Sequence, residues 1–195
     1  MIRVAHRINS SEKLKAVSPE FGVELDLRAE GTDIIIHHDP FAAGERFEDW
    51  LQHYRHRLLI LNVKEEGLET RLLALMQAHG IADFFFLDQS FPFLIKTART
   101  GEQRCAVRVS EFESIETALS LSGMVQWVWV DCFTRFPLLS SDAQRLKEAN
   151  MRLCFVSPEL QGRTDPDHVR RFRREVEELG IVGDAVCTKY MDLWA

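Results

Sequence analysis

The chain has 195 residues, enough for one well-buried core and too few for two ordinary domains, so residues 1–195 read as a single domain. A formal charge of −6, with 46% hydrophobic and 28% charged residues, fits a globular protein and gives no basic footprint for a nucleic acid. No apolar run approaches the ~20 residues of a membrane span, and the opening MIRVAHRINS is polar by its sixth residue; a cytoplasmic protein with no membrane partner is expected.

In chain order, IRVA (2–5) predicts a first strand and residues near 10–17 a helix. GVELDLR (22–28) predicts the second strand. Only Ala29, Glu30 and Gly31 separate it from the run TDIIIHHDP, which is expected to fold back on it as a β-hairpin. Strands LLILNVK (58–64), DFFFLD (83–88), RCAVRV (104–109), QWVWVD (126–131), RLCFVS (152–157) and DAVCTK (184–189) follow. Helical period occupies the stretches near 45–56, 66–79, 91–99, 113–122, 140–150 and 166–179, with Ser140 and Asp165 as cap-like residues. Such alternation is the signature of βα units around a parallel sheet. The expected fold is α/β: a compact (β/α)8 TIM barrel with a β-hairpin after strand two and no eighth outer helix, since six residues remain after the eighth strand.

That missing helix leaves the outer faces of the first and last strands, assigned Ile2, Val4, Ala185 and Cys187, in need of cover. Either Leu193 and Trp194 fold back as a plug or a second subunit lies there, and a homodimer is expected. Cys105, Cys132, Cys154 and Cys187 sit in or beside apolar runs without a CxxC pair, so they read as reduced core thiols. The charged helix 166–179 reads as a solvated outer helix.

Barrels of this kind carry reactive groups at the C-terminal ends of their strands. There the sequence offers His6, Arg7, Glu24, Asp26, Asn62, Lys64, Asp88, Glu111, Asp131, Ser157, Glu159 and Lys189. A period of two puts Glu24 and Asp26 on one face, and two carboxylates in one interior are costly unless a cation neutralises them. Oxygen ligands at a strand end suit Mg²⁺ or Ca²⁺ better than zinc. Simple ion pairing with Arg7, Arg28 or Lys64 accounts for the pair equally well. His6 alone reads as a structural histidine, and of His37 and His38, which point to opposite sides, at most one faces the site.

His6-Arg7, Glu24-x-Asp26 and His38-Asp39 resemble, in order and spacing, the HR, ExD and HD motifs of the glycerophosphodiester phosphodiesterase family. Asn62-Val63-Lys64 is similar to that family's Glu-x-Lys, Gln89-Ser90-Phe91 to its QSF, and Gly183-Asp184-Ala185 through Thr188 to its GxDGxxTD ending. The resemblance implies a metal-dependent phosphodiesterase, a hydrolase acting on a small soluble phosphodiester such as a glycerophosphodiester or polyol-phosphoryl compound. It implies Glu24, Asp26 and Asn62 as metal ligands, His6 and His38 as the acid/base pair, and Arg7 and Lys64 as phosphate contacts. Three departures stand out. Asn62 replaces a carboxylate, Ile8-Asn9-Ser10-Ser11-Glu12 replaces a Gly-x-x-x-Glu-Asn-Thr pattern, and almost no chain lies between His38 and the next helix. The alternative is a catalytically weakened barrel that binds a phosphate compound or regulates through it.

Overall fold

The computed structural model describes all 195 residues. Eight strands run parallel in chain order: β1 (Ile2–Ala5), β2 (Gly22–Glu30), β5 (Leu59–Val63), β6 (Phe84–Leu87), β7 (Ala106–Val109), β8 (Trp127–Val130), β9 (Arg152–Val156) and β10 (Ala185–Thr188). The sheet curls, with Ile2 of β1 standing beside Ala185 of β10. One seam is thin. Between β6 and β7 the pairing is a single parallel bridge, Phe86 to Cys105. All eight expected strands are present, most trimmed by a residue or two at an end.

The expected hairpin is present: β3 (Asp33–Ile36) runs antiparallel to the top of β2, with Leu27 opposite Ile36 and Glu30 opposite Asp33. A two-residue strand absent from the sequence reading, β4 (Glu45–Arg46), extends it. Gly44 permits this approach, since a Cβ there would lie 2.5 Å from the Ile36 carbonyl oxygen. Seven helices separate the parallel strands: α1 (Ser11–Ala16), α2 (Phe47–Leu51), α3 (Glu69–Ala78), α4 (Phe91–Ala98), α5 (Ile115–Leu119), α6 (Ser140–Glu148) and α7 (Pro166–Glu178). Asp165 caps α7 through the Asp167 N–H, as its residue type suggests. Ser140 does not cap α6; it lies inside the helix and its hydroxyl donates to the Leu179 carbonyl. No helix is long and apolar enough to cross a membrane.

Alternation along the strands divides the apolar residues into two layers. Ile60, Phe85, Trp127, Trp129 and Cys154 pack inside the curled sheet, with Phe85 and Trp127 stacked at 4.5 Å. Leu25, Leu61, Phe86, Val128 and Phe155 face outward into the layer shared with the helices. This alternation corrects one expectation: Val4, Ala185 and Cys187 belong to the inner layer, while Ala5 and Val186 belong to the outer one. With a period of two, a one-residue slip in the reading exchanges the faces. The tail covers the outer side itself. Residues Met191–Trp194 form a 3-10 turn, the Arg3 guanidinium donates to the Met191 carbonyl, and Trp194, 6% exposed, packs edge-on against Phe172 and donates to Ser157 Oγ at 2.9 Å. The tail thus packs against this side as a plug. All four cysteines are buried and unpaired, and burial pushes Cys105 and Cys132 up to about 12, so they are structural thiols.

Candidate active site

The site begins with β2, whose polar residues face inward where apolar ones would be cheaper. Glu24 and Asp26 are buried, at 1% and 0% exposure, and stand level with Ile60 and Asn62 of β5. Glu24 is held by short bonds from the loop after β1 and from β5, and Asp26 by a bond from the same loop. The Arg7 N–H donates to Glu24 Oε2 at 2.7 Å and Asn62 Nδ2 donates to Oε1 at 2.9 Å. Arg7 achieves this by adopting a left-handed backbone, φ +55°, uncommon for a residue other than glycine. Asp26 exchanges two bonds with Asn9: Asn9 Nδ2 donates to Asp26 Oδ2 at 2.8 Å, and the Asp26 N–H donates to Asn9 Oδ1 at 3.0 Å.

Cations surround the pair. Arg7 Nε lies 3.8 Å from Asp26 Oδ2 and Lys64 Nζ 3.4 Å from Asp26 Oδ1. Arg28 goes elsewhere, to Glu65 and the His38 carbonyl. His6 Nε2 is 3.8 Å from Glu24 Oε2. Burial, reinforced by the charge of Asp26, pushes Glu24 up to about 7. Burial, with the nearby charges of Arg7 and Lys189, pushes His6 down to about 3. The imidazole is therefore neutral at pH 7.

Two buried oxygens here, Asp26 Oδ1 and Asn62 Oδ1, have no hydrogen-bond partner. The raised Glu24 beside them reflects two carboxylates buried side by side, offset only in part by the Arg7 N–H, Asn62 and Lys64. Two carboxylates and one amide oxygen, from Glu24, Asp26 and Asn62, are donors of the kind a hard divalent cation takes. No group of three His, Cys, Asp or Glu side chains is arranged for a metal.

The remaining candidates fall into other networks. His38 sits on the rim, 39% exposed, its Nδ1 bonded to Asp39 Oδ1 at 2.7 Å, and makes no hydrogen bond or ion pair with His6, Glu24 or Asp26. His37 turns back on the Asp39 backbone. Lys64 also reaches Asp88 at 3.2 Å; Asp88 pairs with Arg108, and Arg108 with the buried Asp131 at 3.2 Å. Gln161 completes the row by donating to Asp131. Glu159 accepts from the Thr188 hydroxyl and the Lys189 N–H. Burial works against ionisation of Glu111, but the N–H groups of Arg135 and Thr134 hold it down to about 2, a loop clamp rather than a reactive group. Asp184 binds Lys147 and the Leu153 N–H at the far end of the strands.

Sequence reasoning passed over Asn9 and Arg108. Asn9 lies in the loop where the family pattern is replaced, and one polar loop residue carries no signal of its own. Arg108 could have been found, since it is the lone charge inside the run AVRV, a position that demands partners.

No family model and no curated protein matches the sequence. Solved structures do match in shape. A glycerophosphodiester phosphodiesterase from Agrobacterium tumefaciens superposes with a TM-score of 0.68 at 14% identity, covering 100% of this chain and 97% of that one. A glycerophosphoryl diester phosphodiesterase from Parabacteroides distasonis gives 0.67 at 11%, covering 98% and 84%. Over its whole length, the chain has the fold of these phosphodiesterases.

Proposed function

We propose that the chain is a cytoplasmic phosphoric diester hydrolase on a complete (β/α)8 barrel, divalent-metal-dependent and acting on a small phosphodiester of the glycerophosphodiester or polyol-phosphoryl kind. The observation that carries this reading is the buried Glu24 and Asp26 pair with Lys64, Arg7 and His6 all within 3.8 Å of it. A phosphodiester needs a cationic cradle for its oxygens, a base for the nucleophile and an acid for the leaving group. Lys64 and Arg7 supply the cradle, and their second role as partners of Asp26 keeps them in place. Neutral His6 accepts the proton of the attacking hydroxyl, from water or from the substrate itself. As the new P–O bond forms, the bond to the leaving alcohol breaks. His38, its Nδ1 fixed by Asp39, delivers a proton to that oxygen. A Mg²⁺ or Ca²⁺ bound by Glu24, Asp26 and Asn62 would supply charge stabilisation for the phosphoryl oxygens.

A second reading, a barrel that binds a phosphate compound without turning it over, is favoured by one observation: Asn62 directs its amide N–H, not a carboxylate, toward Glu24. Metal titration in an assay for phosphomonoester or cyclic phosphate release decides between them. Release that tracks added Mg²⁺ or Ca²⁺ supports the hydrolase; no release from any small phosphodiester, with tight phosphomonoester binding, overturns it in favour of the binding barrel.

A further inference from the structure

The reaction above leaves the thin seam between β6 and β7 unused. A groove of about 700 Å³ opens there between α4 and α5, half of its lining apolar. Pockets for small organic ligands span roughly 300–1,000 Å³. Its depth follows from the missing backbone pairing. Leu87 and Ala106, which line it, belong to the layer inside the sheet, while Leu94 and Val107 belong to the layer outside. At its lips stand Phe91 and Phe112, 50% and 79% exposed. Of thirteen phenylalanines only these two and Phe41 are exposed; Phe41 and Phe112 lie on loops and Phe91 opens α4, all after the C-terminal ends of strands, the end that carries the acid pair. Large apolar side chains gathered at a site and left in water point to something apolar that covers them.

The groove neighbours the site through shared residues. Its polar wall is Asp88 and Arg108, which pair with each other, and Asp88 holds Lys64, the cation nearest Asp26. Asp88 and Gln89 also line a smaller cavity of about 280 Å³ over Lys64, and Gln89 Oε1 is a buried acceptor without a partner. A phosphate anchored at Lys64 thus has the groove on the other side of the wall formed by Asp88 and Gln89.

We propose that the groove binds an apolar substituent of the substrate, making the preferred substrate a phosphodiester one of whose alcohols carries an alkyl or acyl chain. This rests on the phosphodiesterase reading. The inner end of the groove, at Leu87 and Ala106, lies inside the sheet, which suits a flexible chain attached to the phosphate and not a flat surface or a helix of a partner. Arg108 and Asp88 mark the point where the polar head ends and the chain begins.

The test is a series of glycerophosphoalkyl esters, methyl to octyl, assayed with the metal-loaded protein below their micelle concentrations. KM is expected to fall at least about tenfold from methyl to octyl, because each buried methylene adds to affinity. Phe112→Ser, which removes a lip, and Thr117→Trp, which fills the groove, are each expected to bring the octyl KM back toward the methyl value with methyl-ester turnover unchanged. A flat series with the methyl ester turned over overturns the groove alone, as does an octyl preference that survives both substitutions or appears only on vesicles. If no ester is cleaved, the phosphodiesterase reading fails; calorimetry then judges the groove, and octyl phosphate binding no tighter than inorganic phosphate overturns it too.

Discussion

The two halves of the mouth are built on opposite terms. On the β2 and β5 side the strands pair over five residues, Val23 to Leu27 against Leu59 to Val63, and buried Glu24 and Asp26 are fixed by Arg7, Asn9 and Asn62. On the β6 and β7 side the backbone makes one bridge, and side chains span the gap: Lys64, Asp88, Arg108 and Asp131 form a row of alternating charge. A continuous ladder can hold two like charges in place because the backbone resists their separation. An open seam cannot, so there every charge has an opposite neighbour. The proposed chemistry uses the first side and the proposed chain-binding groove the second.

The sharpest way to break this comparison is to disable the first side. Asp26→Asn and His6→Gln are each expected to lower kcat by ~100-fold or more with the fold intact by circular dichroism; a loss under threefold in both places the chemistry elsewhere. His38→Ala should match them and His37→Ala should cost far less, while exchanged outcomes would mean that His37 is the ring facing the substrate. On the second side, Arg108→Met strips the buried Asp131 of its cation and should cost about 2–3 kcal/mol in denaturant unfolding, with faster amide exchange in β6 and β7. Equal acceleration in β2 and β5 would show that the seam is no weaker than the ladder.

Acidity offers a third measure, made in chelator. Glu24 titrates at about 7 in the fold against an ordinary 4.5, so between those values the folded chain keeps a proton that the unfolded chain has lost. Stability therefore falls as pH rises through that window. Glu24→Gln should abolish the fall and stabilise the metal-free protein at pH 8 by on the order of 1–3 kcal/mol. His6 acts in the opposite sense. Lowered from 6.5 to about 3, it makes stability rise with pH between those values, and His6→Gln should flatten that rise. The smallest effect expected is on metal affinity: Asn62→Glu should tighten Mg²⁺ binding by about tenfold in calorimetry, and an unchanged affinity would mean that Asn62 does not face the ion.

Eight strands, seven helices and the hairpin were legible because each is a local pattern: runs of β-branched and aromatic residues, helical period, and a three-residue gap before Thr32. Glu24 and Asp26 were legible as a pair for the same reason, since a period of two puts both on one face wherever the strand lies. What faces which side of a curled sheet is decided across strands, so Val4, Ala185 and Cys187 could not be assigned inward until β1 met β10. The partners of the acid pair are likewise a tertiary matter: Lys64 and Arg28 are both cations at strand ends, yet Lys64 reaches Asp26 while Arg28 turns to Glu65. The groove was invisible for the most general reason. Phe91 and Phe112 look like any other phenylalanines in the sequence, and only the failure of β6 and β7 to pair along their length leaves a space between them.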